Sequence, residues 1–273
     1  MTGKGGLVLV AVVLLLAFTV VAQAQQVGQG RYRLVFSDEF NGPDGSQPDA
    51  TKWRRCGRAT STWNRLMSKE DHRVVEQRGG TLRLRAIPNN DLKADTSRML
   101  TGGIESIHKY SFQYGLVEAR IKTKLHQGNF PAFWLMPQPP CEYHPKGGEI
   151  DIFETVNTQQ IAYQTVHTYW TNVVGINRQT QPKTANKKVN VSRWHVYGLE
   201  WTPTELVFFI DGEKTFTYRK STDAEQLKNG QWPFDHPFYI ILNQALGSWN
   251  QPYDLKYTYE TQVDWVRVYQ RGD

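Results

Sequence analysis

Beyond its first two dozen residues, the chain is written largely in two-residue alternation. In residues 81–86 (TLRLRA), Leu82, Leu84 and Ala86 share one side, and Arg83 and Arg85 the other. Residues 117–125 (VEARIKTKL) set Val117, Ala119 and Ile121 against Glu118, Arg120, Lys122 and Lys124. Successive side chains of an extended strand point to opposite faces, so this pattern predicts half-buried antiparallel strands. Residues 237–242 (PFYIIL) and 263–269 (VDWVRVY) read as further strands. Arg78-Gly79-Gly80 and Asp211-Gly212 each separate two such runs and predict hairpin turns. Only TDAEQLK, residues 222–228, suggests a helical turn or two, and the polar stretches 43–62 and 171–192 read as long loops. With no internal repeat and no linker, the pattern predicts an all-β sandwich or jelly roll of two antiparallel sheets.

The opening residues follow a different rule. Lys4 precedes a mostly apolar run over residues 7–22 (LVLVAVVLLLAFTVVA), and Ala22-Gln23-Ala24 fits a small-x-small cleavage site. The run is short for a membrane span, which needs roughly 20 apolar residues. Residues 1–24 therefore read as a signal peptide and 25–273 as one domain, secreted or periplasmic. Removing Lys4 takes the formal net charge from +6 to +5, spread without a run of like charges, which argues against a nucleic-acid partner. Cys56 and Cys141 would meet an oxidising compartment; their spacing makes no zinc motif, and whether they pair is open.

Candidate chemistry concentrates in Gly147-Gly148-Glu149-Ile150-Asp151-Ile152-Phe153-Glu154. Glu149 and Asp151 share a face by alternation, but Glu154 joins them only if one extra residue bulges between 151 and 154. Three carboxyls in a row repel, and their proton affinities are pushed apart so that one stays ionised while another holds its proton. Retaining glycoside hydrolysis needs such a pair, a nucleophile and an acid roughly 5–5.5 Å apart. Two plainer readings stand beside it: a solvated acidic strand, and an oxygen-rich calcium site.

Glu149-Ile-Asp-Ile-Phe-Glu154 resembles the bulged Glu-x-Asp-x-x-Glu signature of glycoside hydrolase family 16. Further ordered similarities are Phe36-Ser-Asp-Glu-Phe-Asn-Gly42, Gly115-Leu-Val-Glu-Ala-Arg120, Phe130-Pro-Ala-Phe-Trp-Leu-Met-Pro137, Trp194-His-Val-Tyr-Gly-Leu-Glu-Trp201 and Val263-Asp-Trp-Val-Arg-Val-Tyr269. The resemblance implies a concanavalin A-like jelly roll with Glu149 as nucleophile, Asp151 as helper and Glu154 as acid/base. It also implies a structural Ca2+ on the convex side, held by Glu39, Asp264 and the carbonyl of Gly80, although no cofactor is required for the chemistry.

Sugar rings present apolar C–H faces that suit aromatic platforms with polar neighbours. Trp63, Asn64, Trp134 and Trp249 are raised above ordinary core packing by the resemblance. Alternation places Tyr163, Thr165, His167 and Tyr169 on one face, so His167 and Tyr169 are candidate substrate contacts. Asn243 and Gln244 are amides at an apolar strand end; Gln244 is taken as the substrate-binding one. Residues 162–170, Trp63-Asn64 and Leu100-Thr-Gly-Gly103 look like the branch that cuts β-1,4-galactosidic bonds of poly-N-acetyllactosamine and mucin-type O-glycans. Laminarin-cutting relatives usually carry Gly-Gly-x-Trp-Pro-Gly late in the chain, where this one reads Gly247-Ser-Trp-Asn-Gln-Pro252. Endo-β-1,3-glucan cleavage is the alternative, and a non-catalytic carbohydrate-binding jelly roll the alternative of another class. The expected partner is an oligosaccharide or polysaccharide met by a monomer, with no membrane insertion once the leader is gone.

Overall fold

The computed structural model describes residues 32–248 and 251–272, so the expected signal peptide and Trp249 lie outside the described residues. In chain order the strands are β1 Tyr32–Asp38, β2 Arg54–Arg55, β3 Val75–Gln77, β4 Leu82–Pro88 and β5 Met99–Glu105. They continue as β6 Gly115–Thr123, β7 Asn129–Pro137, β8 Glu149–Glu154, β9 Ile161–His167 and β10 Thr184–Lys188. The last are β11 His195–Trp201, β12 Glu205–Ile210, β13 Glu213–Arg219, β14 Phe238–Leu246 and β15 Tyr259–Arg271. All the pairings between these strands are antiparallel.

The order β10-β9-β8-β7-β14-β5 forms one layer and β4-β15-β6-β11-β12-β13 the other, with a β4–β5 pairing joining them at Ala86↔Thr101. This is the all-β jelly roll that the alternation predicts. Between the layers lies one large apolar cluster, fed by Leu82, Leu84, Val117, Ala119 and Ile121 from one side and Phe133, Leu135, Ile150 and Ile152 from the other. Burying such side chains stabilises by about 25 cal/mol per Å² of apolar surface, which makes the two inward faces the main source of cohesion.

Both hairpin expectations hold: Val75–Gln77 pairs with Leu82–Leu84, and β12 with β13 across Asp211-Gly212. Gly79 and Gly80 have φ of 61° and 67°, and Asp211 and Gly212 have 51° and 80°. Two consecutive positive φ values make the mirror-image turn whose twist matches paired strands, and Gly accepts them without steric cost. The short helix α1, Ala224–Lys228, is capped by Asp223, whose carboxylate accepts from the Glu225 and Gln226 amides.

The stretch 171–192 is not all loop. It carries a π-helical turn over Trp170–Val174 and the edge strand β10, TANKK, which is mostly exposed and is joined to its sheet through β9 alone. An edge strand of this kind is held by backbone hydrogen bonds, so its sequence shows no apolar alternation. Cys56 is buried and Cys141 exposed, and both are free thiols.

Candidate active site

The pairing of β8 with both neighbours shifts within the acidic segment. On β7, Trp134 pairs with Asp151 but Phe133 with Phe153; on β9, Thr165 pairs with Asp151 and Tyr163 with Glu154. One surplus residue, at Ile152–Phe153, is therefore inserted between the second and third acid. Ile150, Ile152 and Phe153 all face the core, and Phe153 stacks on Tyr197 of β11 at 4.1 Å. Two consecutive inward residues return Glu154 to the face of Glu149 and Asp151, and all three line one open cavity.

On that face the partners on β9 are His167 opposite Glu149, Thr165 opposite Asp151 and Tyr163 opposite Glu154. His167 Nε2 lies 3.2 Å from Asp151 Oδ2 and 3.8 Å from Glu149 Oε1. Its Nδ1 meets the Asn172 amide at 2.8 Å. Asn172 Oδ1 is occupied by Lys183 Nζ and the Thr171 hydroxyl, so the Asn172 NH2 must be the group donating to Nδ1. The neutral imidazole then carries its proton on Nε2, facing the carboxylates. His144, on the loop before β8, places Nε2 3.2 Å from Glu149 Oε2.

Proton affinity follows from this enclosure. Asp151 is 2 % exposed, and its Oδ2 has no conventional hydrogen bond among the described residues. Burial, and then the charge of Asp151, hold the Glu149 carboxyl well above the usual carboxylate range, against the opposing pull of His167. Burial lifts Asp151 to about 8, and burial followed by the charge of Asp151 lifts Glu154 to about 8. Three interacting carboxyls with these affinities cannot all be ionised at neutral pH.

The aromatic wall is built by Trp63 and Trp134, edge to face at 4.9 Å, with Phe130 beside them in the cavity lining. Trp134 Nε1 donates to Asn243 Oδ1 at 2.7 Å, which leaves the Asn243 NH2 with no partner among the described residues. Asn243 lines the cavity, whereas Gln244 does not: its amide donates to Asn129 and the Ala245 carbonyl and accepts from Thr261, all buried. The expectation for Gln244 is thus corrected in favour of its neighbour, because adjacent strand residues face opposite sides. Asn64 is buried in the turn that carries Trp63, where its carbonyl accepts from the Met67 amide. Tyr169 heads the π-helical turn, with Lys146 Nζ 5.1 Å from its ring, and lies outside the cavity lining. The residues expected for calcium have other partners: Glu39 grips Arg267 through both oxygens, Asp264 binds Arg120 at 2.5 Å, and Gly80 is a turn residue. Apart from Asn243, the contacts of His144, Asn172 and Lys183 carry no sequence signal, since each depends on a loop or edge strand folding back onto the acids.

Comparison with known proteins sets this geometry in context. The family model described as "Beta-porphyranase A-D, GH16 domain" matches residues 33–271. A keratan-sulfate endo-1,4-beta-galactosidase of Sphingobacterium multivorum is 36% identical over 260 residues, 93% of this chain; the chain spans 58% of that relative's length. A beta-glucanase of Rhodothermus marinus is 31% identical over 254 residues, covering 87% of this chain and 85% of the relative. A solved structure described as "Prominent members of the human gut microbiota express endo-acting O-glycanases to initiate mucin breakdown" has a TM-score of 0.74 and 32% identity, over 86% of this chain and 98% of that one. A match over nearly the whole described chain, together with the acid row on a bulged strand, makes this protein a member of glycoside hydrolase family 16.

Proposed function

We propose that the protein is a retaining endo-β-glycosidase that cuts internal β-1,4-galactosidic bonds of poly-N-acetyllactosamine or mucin-type O-glycans. The observation that carries the mechanism is the surplus residue of β8, which sets Glu149 and Glu154 on the same side of one strand with Asp151 between them. Glu149 is the nucleophile. Its side chain is 19% exposed and meets His144 at 3.2 Å, whereas that of Asp151 is 3% exposed; for Glu149 to attack, the proton that raises it must pass to Asp151. Glu154, protonated near neutral pH, is the acid.

In the first step a Glu149 oxygen bonds to the anomeric carbon, the glycosidic bond breaks, and the Glu154 proton passes to the leaving oxygen. In the second, Glu154 takes a proton from water, the water oxygen bonds to the anomeric carbon, and the Glu149 ester breaks. Trp63 and Trp134 offer the sugar an apolar wall, and the unpartnered Asn243 NH2 offers a hydroxyl its hydrogen bond. These steps draw on carboxyl groups that the chain itself supplies. Secretion as a single domain after loss of residues 1–24 belongs to the same reading.

Support for the substrate comes from the named galactosidase and O-glycanase relatives. The second reading is β-glucan cleavage, favoured by the Rhodothermus marinus glucanase likeness. Incubation with poly-N-acetyllactosamine, mucin O-glycans, laminarin and agarose, followed by product analysis, separates the two. Oligosaccharides ending in galactose from the first two polymers are expected; release from laminarin alone would reject the galactosidase reading.

A further inference from the structure

The bulge that presents Glu154 has a partner on the far side of the sandwich. Gln164 of β9 stands opposite the bulged pair, because its neighbours Thr165 and Tyr163 pair with Asp151 and Glu154. It is fully buried and shares the inward side of β9 with Ala162 and Val166. An extra residue disrupts the ladder locally and leaves backbone groups to be satisfied some other way. Gln164 Nε2 lies 3.3 Å from the Ile152 carbonyl and 3.4 Å from the Phe209 carbonyl of β12.

Phe209 borders a second irregularity. Phe208 pairs with Phe216 but Phe209 with Lys214, so Thr215 is the surplus residue of β13. The Thr215 hydroxyl donates to Gln164 Oε1. The two carbonyls fix the orientation of the amide, since only its NH2 can face them, and the remaining oxygen receives the hydroxyl. One amide therefore bridges the surplus residue of β8 and that of β13.

We propose that Gln164, braced by Thr215, is a positioning residue that holds the β8 bulge in the conformation delivering Glu154 to the cavity. The inference rests on the assignment of Glu154 as acid/base. Without the bulge, plain alternation turns Glu154 away from the face of Glu149 and Asp151. An error of only about 1 Å at a reacting group costs on the order of 10²-fold in rate.

The test uses full-length Gln164→Met, which keeps the volume and removes the amide, with Thr215→Val as a variant in the opposite layer and Thr215→Ser as the conservative rescue. Gln164→Met is expected to lower kcat on the cleaved polysaccharide by about 30-fold and Thr215→Val by about 5-fold, with KM within about 3-fold, while Thr215→Ser keeps wild-type turnover. On the 2,4-dinitrophenyl glycoside of the repeat disaccharide, azide should speed turnover of Gln164→Met and of a Glu154→Ala control, but not of wild type. Azide bonds to the anomeric carbon as the Glu149 ester breaks, and it needs no general base. A lowered Tm with wild-type kcat, or a loss on both substrates that azide leaves unchanged, would overturn the positioning role. If Gln164→Met fails to fold, Thr215→Val gives the same readouts. A Glu154→Ala control indifferent to azide would instead reject the acid/base assignment beneath the proposal.

Discussion

Two sets of enclosed carboxyls sit on opposite layers of this sandwich and behave in opposite ways. On the second layer, Glu260 is 6 % exposed, yet its proton affinity is lowered. Burial raises it, but a hydrogen bond from Gln262, the Arg85 guanidinium and the charges of Lys124 and Arg83 more than offset that cost. Arg85 also reaches Glu76 at 2.7 Å, so two arginines of β4 tie down two acids. In the cavity, Asp151 is 2 % exposed and Glu149 and Glu154 are part-buried, and no lysine or arginine pairs with them among the described residues. Two histidines are their basic neighbours, and the three affinities rise. The difference teaches that burial alone does not set a carboxyl's charge. The chain gives cations to acids that hold strands together and withholds them from the acids to which the proposed mechanism assigns proton exchange.

Removing acids from each set is the strongest way to break this comparison. Glu149→Gln and Glu154→Gln should each lower kcat by on the order of 10³-fold with the fold kept, as expected for loss of a nucleophile or a general acid. Glu260→Gln should leave kcat within about 2-fold, because its ion pairs lie outside the cavity and are not used in the transition state. Initial rates and circular dichroism on the same preparations check both. Equal losses in the two sets would dissolve the distinction.

The pH profile sharpens it. Glu154 must be protonated to donate, and its affinity is raised to about 8. The rate on polysaccharide should fall as pH rises through that region, and Glu154→Gln should lose this limb along with its activity. A dinitrophenyl donor needs no protonation of its leaving group, so the rate at which it forms the glycosyl-enzyme should lack the limb in wild type.

Stability provides the smallest and most discriminating contrast. A carboxyl whose affinity is raised on folding, from 4.5 to about 8 for Glu154, contributes stability that is fully present below 4.5 and lost as pH rises through 8. Glu154→Gln should therefore gain on wild type in Tm by several degrees or more as pH climbs through this window. Glu260 is lowered, so its contribution is present above 4.5 and is lost as pH falls through its folded value. Glu260→Gln should cost about 1–3 kcal/mol at neutral pH, and the gap should close in acid. Thermal melts from pH 3 to 9 would show opposite trends, and parallel trends would contradict the account.

Much of this arrangement is legible in the sequence. The alternating strands of TLRLRA and VEARIKTKL and both hairpin turns follow from side-chain parity and turn chemistry, which act over a few residues. The bulge was readable because three acids at this spacing share a face only if one extra residue intervenes. What the sequence hides depends on register and on returning loops. Asn243 and Gln244 are both polar and adjacent, so parity cannot say which faces the cavity; pairing of Asn243 with Ala132 decides it. His144 reaches Glu149 from a loop, and Asn172 orients His167 from a π-helical turn, neither of which leaves a periodic trace. Glu39 and Asp264, expected beside a calcium ion, are met by Arg267 and Arg120 of the same layer, contacts that no local pattern announces.

The central claim is that Glu149 attacks the sugar while Glu154 handles the proton, and covalent trapping tests it most directly. A 2-deoxy-2-fluoro glycosyl donor of the cleaved repeat, bearing a dinitrophenyl leaving group, should add one glycosyl mass to the protein. Peptide mapping should then place it on Glu149. A label on Asp151 or Glu154, or an intact protein mass unchanged while the donor is consumed, would contradict the account.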